Sequence, residues 1–134
     1  MAIAALVGSQ MLLLLFVWCN RAHPGFWLLG LGLVMNLTVI VLNGGLMPIS
    51  PETVVRIAPP GTPVDALFPP GTRLGTTKDI VLETQDTRLW WLSDILLFPT
   101  WFPMPQFAYS VGDVLIAAGV IQLLWRSGGR QQDS

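Results

Sequence analysis

Residues Asn36 to Pro51 read NLTVIVLNGGLMPISP, and the change of character inside this run decides the fold. An apolar segment of membrane-spanning length stops at Asn43-Gly44-Gly45 and becomes proline-rich. Before it the chain is almost uninterrupted hydrocarbon, and most polar residues lie between it and a last apolar run near the C-terminus. The stretch is therefore read as the point where a membrane helix ends and a long loop begins.

Composition sets the solvent. Of 134 residues 52% are hydrophobic and 11% charged, about half the charge of an ordinary soluble domain, and the mean hydropathy is +0.60. Lipid bilayer is the expected surrounding. Seven Lys and Arg face eight Asp and Glu, so there is no basic field for nucleic acid and no polybasic patch for anionic lipid. The single Cys19 excludes an intramolecular disulfide.

Working outward, the run 2–19 carries no charge and only Ser9 and Gln10 interrupt it; at about 1.5 Å per residue it reaches roughly 27 Å, enough for a bilayer core. A signal peptide is the rival reading. No Lys or Arg precedes the run, and Phe16-Val17-Trp18-Cys19 is the wrong chemistry for a cleavage or acylation site, so a retained span is expected. Asn20 to Gly25 then forms a tight connection, with Pro24-Gly25 as its turn signal. The second span is placed at 26–43, antiparallel to the first. Gly30 and Gly32 in it, and Ala4 and Gly8 in the first, are small residues that let membrane helices approach. A third span is placed at 110–125, before Arg126. The expected fold is all-α, one membrane domain over 1–134, with three transmembrane helices and a Pro-rich extracytoplasmic loop at 44–108 carrying short interfacial helices.

Within the loop, Ser50-Pro51-Glu52 has the form of a helix start, which predicts a short helix from Pro51 to Ile57. P-P-G-T occurs at Pro59 to Thr62 and Pro69 to Thr72 and reads as two turns. A short strand is expected around Ile80 to Leu82. Leu89 to Phe98, LWWLSDILLF, is apolar but too short to span and is read as an interfacial or re-entrant helix. Phe98 to Phe107 is expected along the headgroup region. Ser110-Val111-Gly112-Asp113 fits a capping box, which is the structural reading of Asp113; a carboxylate at the edge of a span is also a functional-site hypothesis.

NLTVIVLNGGLMPISP at 36–51, DTRLWWLSDI at 86–95 and SVGDVLIA at 110–117 resemble an uncharacterised family of small bacterial integral membrane proteins, known as a domain of unknown function. The likeness covers about Trp27 to Gly119. It implies a bacterial inner-membrane protein and carries no activity. Family members have further apolar segments before this region, so the chain is expected to be shortened at its N-terminus.

No catalytic set can be assembled. One His and one Cys provide no zinc site and no Cys-His pair, and Gly44-Gly45 lacks the continuation of a phosphate loop. Asp79, Glu83, Asp86 and Asp94 have no metal-ligand spacing. No enzyme, cofactor or metal is predicted. Two function classes stay open: an accessory or assembly subunit, packing against other membrane-protein subunits through its helices and aromatic, Pro-rich loop; or a small transporter, channel component or membrane enzyme using Asn43, Asp94 and Asp113.

Three expectations follow for particular residues. Arg21, Arg126 and Arg130 flank one membrane face, so the positive-inside rule puts the short connection and C-terminus in the cytoplasm, the N-terminus and loop outside, with Trp18, Trp27 and Trp125 at the inner interface and Trp101 and Tyr109 at the outer. Gln10 and Asn36 are placed at depths differing by roughly 3 Å and are expected to bond, or both to face a partner protein. Asn43, Gly44, Gly45, Pro48, Asp94, Ser110 and Asp113 are expected to form one structural polar patch tying the loop to the helix ends.

Overall fold

The computed structural model describes residues 2–99, 101 and 106–129. The chain is mostly helical. Helix α1 spans Ala2–Cys19 and α2 spans Gly25–Leu42; then come β1 (Met47–Ile49), α3 (Pro51–Ile57), α4 (Val64–Leu67), β2 (Asp79–Val81), a 3-10 turn at Trp90–Leu92, β3 (Leu96–Leu97), β4 (Ala108–Tyr109) and α5 (Val111–Gly129). Both α1 and α2 are long and apolar enough to cross a membrane, with mean hydropathies of 2.2 and 2.1.

The three long helices are held together by glycine. Gly25 and Gly32 of α2 lie seven residues apart, hence on one face, and so do Gly112 and Gly119 of α5. A Cβ on Gly25 would stand 2.9 Å from the Gly119 carbonyl oxygen, and one on Gly119 2.8 Å from the Gly25 oxygen. Gly32 and Gly112 meet in the same way two turns on, a Cβ on Gly112 lying 2.9 Å from the Gly32 oxygen. Because 25 faces 119 and 32 faces 112, α2 and α5 run antiparallel, backbone against backbone. Another face of α2 serves α1: a Cβ on Gly30 would come 2.9 Å from Val17 Cγ1, and Phe16 meets Phe26 edge-on at 5.6 Å. A Cβ on Gly8, by contrast, would meet no neighbour within 4 Å among the described residues, so Gly8 makes no close helix contact of this kind.

The chain leaves α2 through Asn43, whose N–H reaches the Val39 oxygen at 3.1 Å, while the Gly45 N–H closes on the Ile40 oxygen at 2.8 Å. Gly45 has φ +94°, and any Cβ there would collide with Ile3 of α1; glycine is needed for both reasons.

Beyond this point the loop is a small lobe with its own core, and here the all-α expectation is corrected. Strands β1 and β2 pair in parallel, Met47 to Asp79, Pro48 to Ile80 and Ile49 to Val81, with α3 and α4 in the crossover that a parallel pair requires. Ile49, Val54, Val64 and Val81 are buried together. A second cluster, Val39, Ile40, Met47 and Leu92, joins the lobe to the end of α2. Helix α3 starts as its sequence suggests, the Thr53 N–H donating to Ser50 Oγ at 3.2 Å. Both P-P-G-T turns close alike, Thr62 and Thr72 donating their backbone N–H to Pro59 and Pro69 oxygens at 3.1 Å.

The helix expected over Leu89 to Phe98 does not form. Leu89 is left-handed at φ 56°, three residues of 3-10 turn follow, and Leu96 and Leu97 pair antiparallel with Tyr109 and Ala108. Tertiary partners take the backbone instead: Asn43 holds both polar groups of Arg88, and the Asp94 N–H donates to the Pro48 oxygen at 3.2 Å. Half of the Phe98 to Phe107 stretch, residues 100 and 102–105, lies outside the described residues.

Candidate functional site

The polar residues converge where α2 and α5 meet the lobe. Ser110 precedes α5 and makes the reciprocal capping box with Asp113: the Asp113 N–H donates to Ser110 Oγ at 3.1 Å, and the Ser110 N–H donates to Asp113 Oδ2 at 3.0 Å. The box is wired to α2. Asn36 Nδ2 donates to Asp113 Oδ1 at 2.8 Å. The Ser110 hydroxyl lies 2.9 Å from both Asn36 Oδ1 and Asp113 Oδ2, and its one proton serves one of them at a time. Ser110 is fully buried and Asn36 nearly so. Gly112 is what permits this, because a Cβ there would occupy the Asn36 amide.

The expected Gln10 and Asn36 bond is thereby corrected. Asn36 is taken up by Ser110 and Asp113, and the buried Gln10 Oε1 has no hydrogen-bond partner among the described residues. Depth matching brought the two amides level but said nothing of azimuth, and the glycine faces turn Asn36 toward α5.

A second group sits against the first. Lys78 Nζ donates to Asp94 Oδ2 at 2.6 Å and stands 3.6 Å from Asp79 Oδ1. Asp94 is only 1% exposed, and its Oδ1 has no hydrogen-bond partner among the described residues. Burial pushes the Asp94 carboxyl up, to about 7, against the opposing pull of Lys78; Asp79 and Asp113 push it the same way as burial. Burial works to lower the Lys78 ammonium, but Asp94, then Asp79 and Asp113, outweigh it and raise the net value. Asp113 acts on both partners, so the two groups form one electrostatic unit where the long helices meet the lobe.

Asn43 makes a separate clamp. Its Nδ2 donates to the Arg88 oxygen at 2.9 Å and its Oδ1 accepts the Arg88 N–H at 2.8 Å. Of the seven residues expected in one patch, Ser110 and Asp113 share a network, Asp94 and Pro48 meet through a backbone bond, and Asn43 holds Arg88. A Cβ on Gly44 would meet nothing within 4 Å among the described residues, whereas Gly45 packs on Ile3. Among the described residues no cluster of His, Cys, Asp and Glu could hold a metal.

Residues 1–125 match DUF5317, a family described as being of unknown function. The chain belongs to DUF5317. An uncharacterized protein of Thermotoga maritima is 32% identical to it over 114 residues, an alignment covering 82% of this chain and 55% of that protein. The DUF5317 chain thus spans about half the length of the curated relative it matches. No solved structure matches.

In this DUF5317 chain Trp18, Trp27, Trp101 and Trp125 are all exposed, by 62, 64, 80 and 83%, and Tyr109 is half-buried. Sequence reading missed Lys78, the partner of Asp94, and the docking glycines Gly25, Gly112 and Gly119. The glycine signal was present as a seven-residue spacing in each apolar run. For Lys78 no local signal exists, since its partner lies 16 residues away across a turn and the 3-10 segment.

Proposed function

We propose that this DUF5317 chain is a membrane-embedded accessory or assembly subunit. Its three long helices cross the bilayer, its lobe lies outside with the N-terminus, and its C-terminus is cytoplasmic. The observation that carries the reading is α1, an uncharged eighteen-residue helix of mean hydropathy 2.2 of which only 6% is buried. Water is a poor neighbour for such a helix, so lipid and the helices of other membrane-protein subunits are its natural surroundings. Two features support a structural role for the polar junction. Both Asp113 carboxylate oxygens accept hydrogen bonds, Oδ1 from Asn36 and Oδ2 from the Ser110 N–H, and the glycine contacts bring the backbones of α2 and α5 together.

Affinity purification in mild detergent tests the subunit reading. A subunit carries unrelated polypeptides with it; recovery as a homo-oligomer or monomer alone opposes the reading. A second reading, a small proton-linked transporter or channel component, is favoured by one observation, the nearly unexposed Asp94 paired with Lys78. Asp113→Asn separates the two. The subunit reading expects that protein to assemble normally, because the Asn36 bond can persist. The transport reading expects a folded protein that has lost flux.

A further inference from the structure

The α1–α2 hairpin encloses a cleft that the junction does not use. It has a volume of about 290 Å³ and is lined by apolar side chains, among them Leu14, Val17, Phe26 and Leu31, with Trp18, Trp27 and Arg21 also contributing. Gly30 also lines it, and a Cβ there would stand 2.9 Å from Val17 Cγ1. The lining contains one charge. The Arg21 guanidinium lies over the Trp18 ring at 4.4 Å from its centre, and one Nη donates to the Trp18 oxygen at 3.0 Å.

We propose that this cleft is a binding site for one anionic phospholipid, an acyl chain lying in the cleft and the phosphate held by Arg21. The inference rests on the membrane reading above and adds a ligand to it. Charge complementarity selects an anion. Arginine carries five N–H donors, and among the described residues no ion pair engages Arg21. Every Asp and Glu of the described chain lies between Glu52 and Asp113, whereas this end of the hairpin has Arg21 and, past the Gly25–Gly119 contact, Arg126. Arginine is suited to phosphate because its planar fork can donate two parallel bonds. The apolar lining selects a hydrocarbon tail over a free anion. The stacked Trp18 ring restricts the guanidinium, so less freedom is lost when phosphate binds. An indole at the headgroup level is also where tryptophan resides in membrane proteins, and Trp18 and Trp27 supply two.

The test uses the full chain, extracted in mild detergent, delipidated, and examined by native mass spectrometry with phosphatidylglycerol, phosphatidylethanolamine or inorganic phosphate added. The proposal expects one phosphatidylglycerol retained in preference to phosphatidylethanolamine by about five- to tenfold, the effect of one charge-assisted contact at a membrane surface. Arg21→Gln should abolish the preference, and Val34→Phe, which enlarges a side chain of the cleft lining, should reduce binding of both lipids. Equal retention of the two lipids by the wild type, an undiminished preference in Arg21→Gln, or inorganic phosphate displacing phosphatidylglycerol at equal concentration would each overturn the lipid site. Alkaline carbonate washing of the source membranes separates the two levels. A chain that stays in the membrane but lacks the preference defeats this site alone, and a chain washed off defeats the membrane reading with it.

Discussion

Replacing Gly112 by alanine adds one methyl group, and the structure assigns it a large cost. The new Cβ would fall on Asn36 Oδ1, 2.7 Å from Asn36 Cγ and 2.9 Å from the Gly32 carbonyl oxygen. The Gly32 side of this contact is backbone and cannot turn away. To admit the methyl, α5 must move off α2 or Asn36 must leave, and either course breaks its bonds to Asp113 and Ser110. Overpacking costs about 1 to 3 kcal/mol and each interhelical bond about 0.6 to 2 kcal/mol. Alanine returns up to about 1 kcal/mol of helix propensity. The net loss is about 4 kcal/mol, within a span of roughly 1 to 7. The same substitution at Gly8 provides the control, because the added Cβ would meet nothing within 4 Å among the described residues; there alanine should be neutral or stabilising by up to about 1 kcal/mol. Unfolding of both proteins in mixed micelles, by sodium dodecyl sulfate titration and helical ellipticity, measures the difference. A Gly112→Ala protein as stable as Gly8→Ala would refute the close glycine docking.

Asn43→Ala removes both bonds to the Arg88 backbone; stability should fall by about 1 to 2 kcal/mol, with exchange of the Arg88 amide hydrogen about tenfold faster. The raised Asp94 carboxyl gives the opposite pH dependence to an ordinary paired carboxylate. Its folded value of about 7 exceeds an unfolded value of about 3.9, so the folded state binds more protons, and the contribution present below pH 4 is lost as pH rises to 7. The ceiling is about 4 kcal/mol. Lys78, raised above the ordinary lysine range, stays charged throughout this window. Asp94→Asn should flatten the fall, measured as the difference in unfolding free energy between the two proteins from pH 4 to 7; parallel curves would remove the burial-driven shift.

What was legible in the sequence was local. Ser50 and Pro51 start α3 because cap and first-turn chemistry involve residues three apart, and Ser110 and Asp113 meet for the same reason. The run around Ile80 reads as a strand and is one. Longer reach failed. Asn36 finds its partners 74 and 77 positions away, and only the facing glycines of α2 and α5 decide that azimuth. Leu89 to Phe98 reads as an interfacial or re-entrant helix, yet Asn43 clamps Arg88 just before the segment and the Pro48 oxygen takes the Asp94 N–H within it. The lobe core escaped notice because Ile49, Val54, Val64 and Val81 lie in four short elements, none long enough to show a period.

The central claim is that the connection after α1 and the lobe after α2 lie on opposite faces of a membrane, and the chain's one cysteine makes this measurable. Cys19 is exposed at the end of α1. A second protein, Cys19→Ser with Gln85→Cys, moves the thiol to an exposed position in the lobe. In intact bacteria treated with a membrane-impermeant maleimide, the account predicts labelling of the lobe cysteine at once and of Cys19 only after permeabilisation. Labelling of both from the same side would contradict it, because α2 would then not cross.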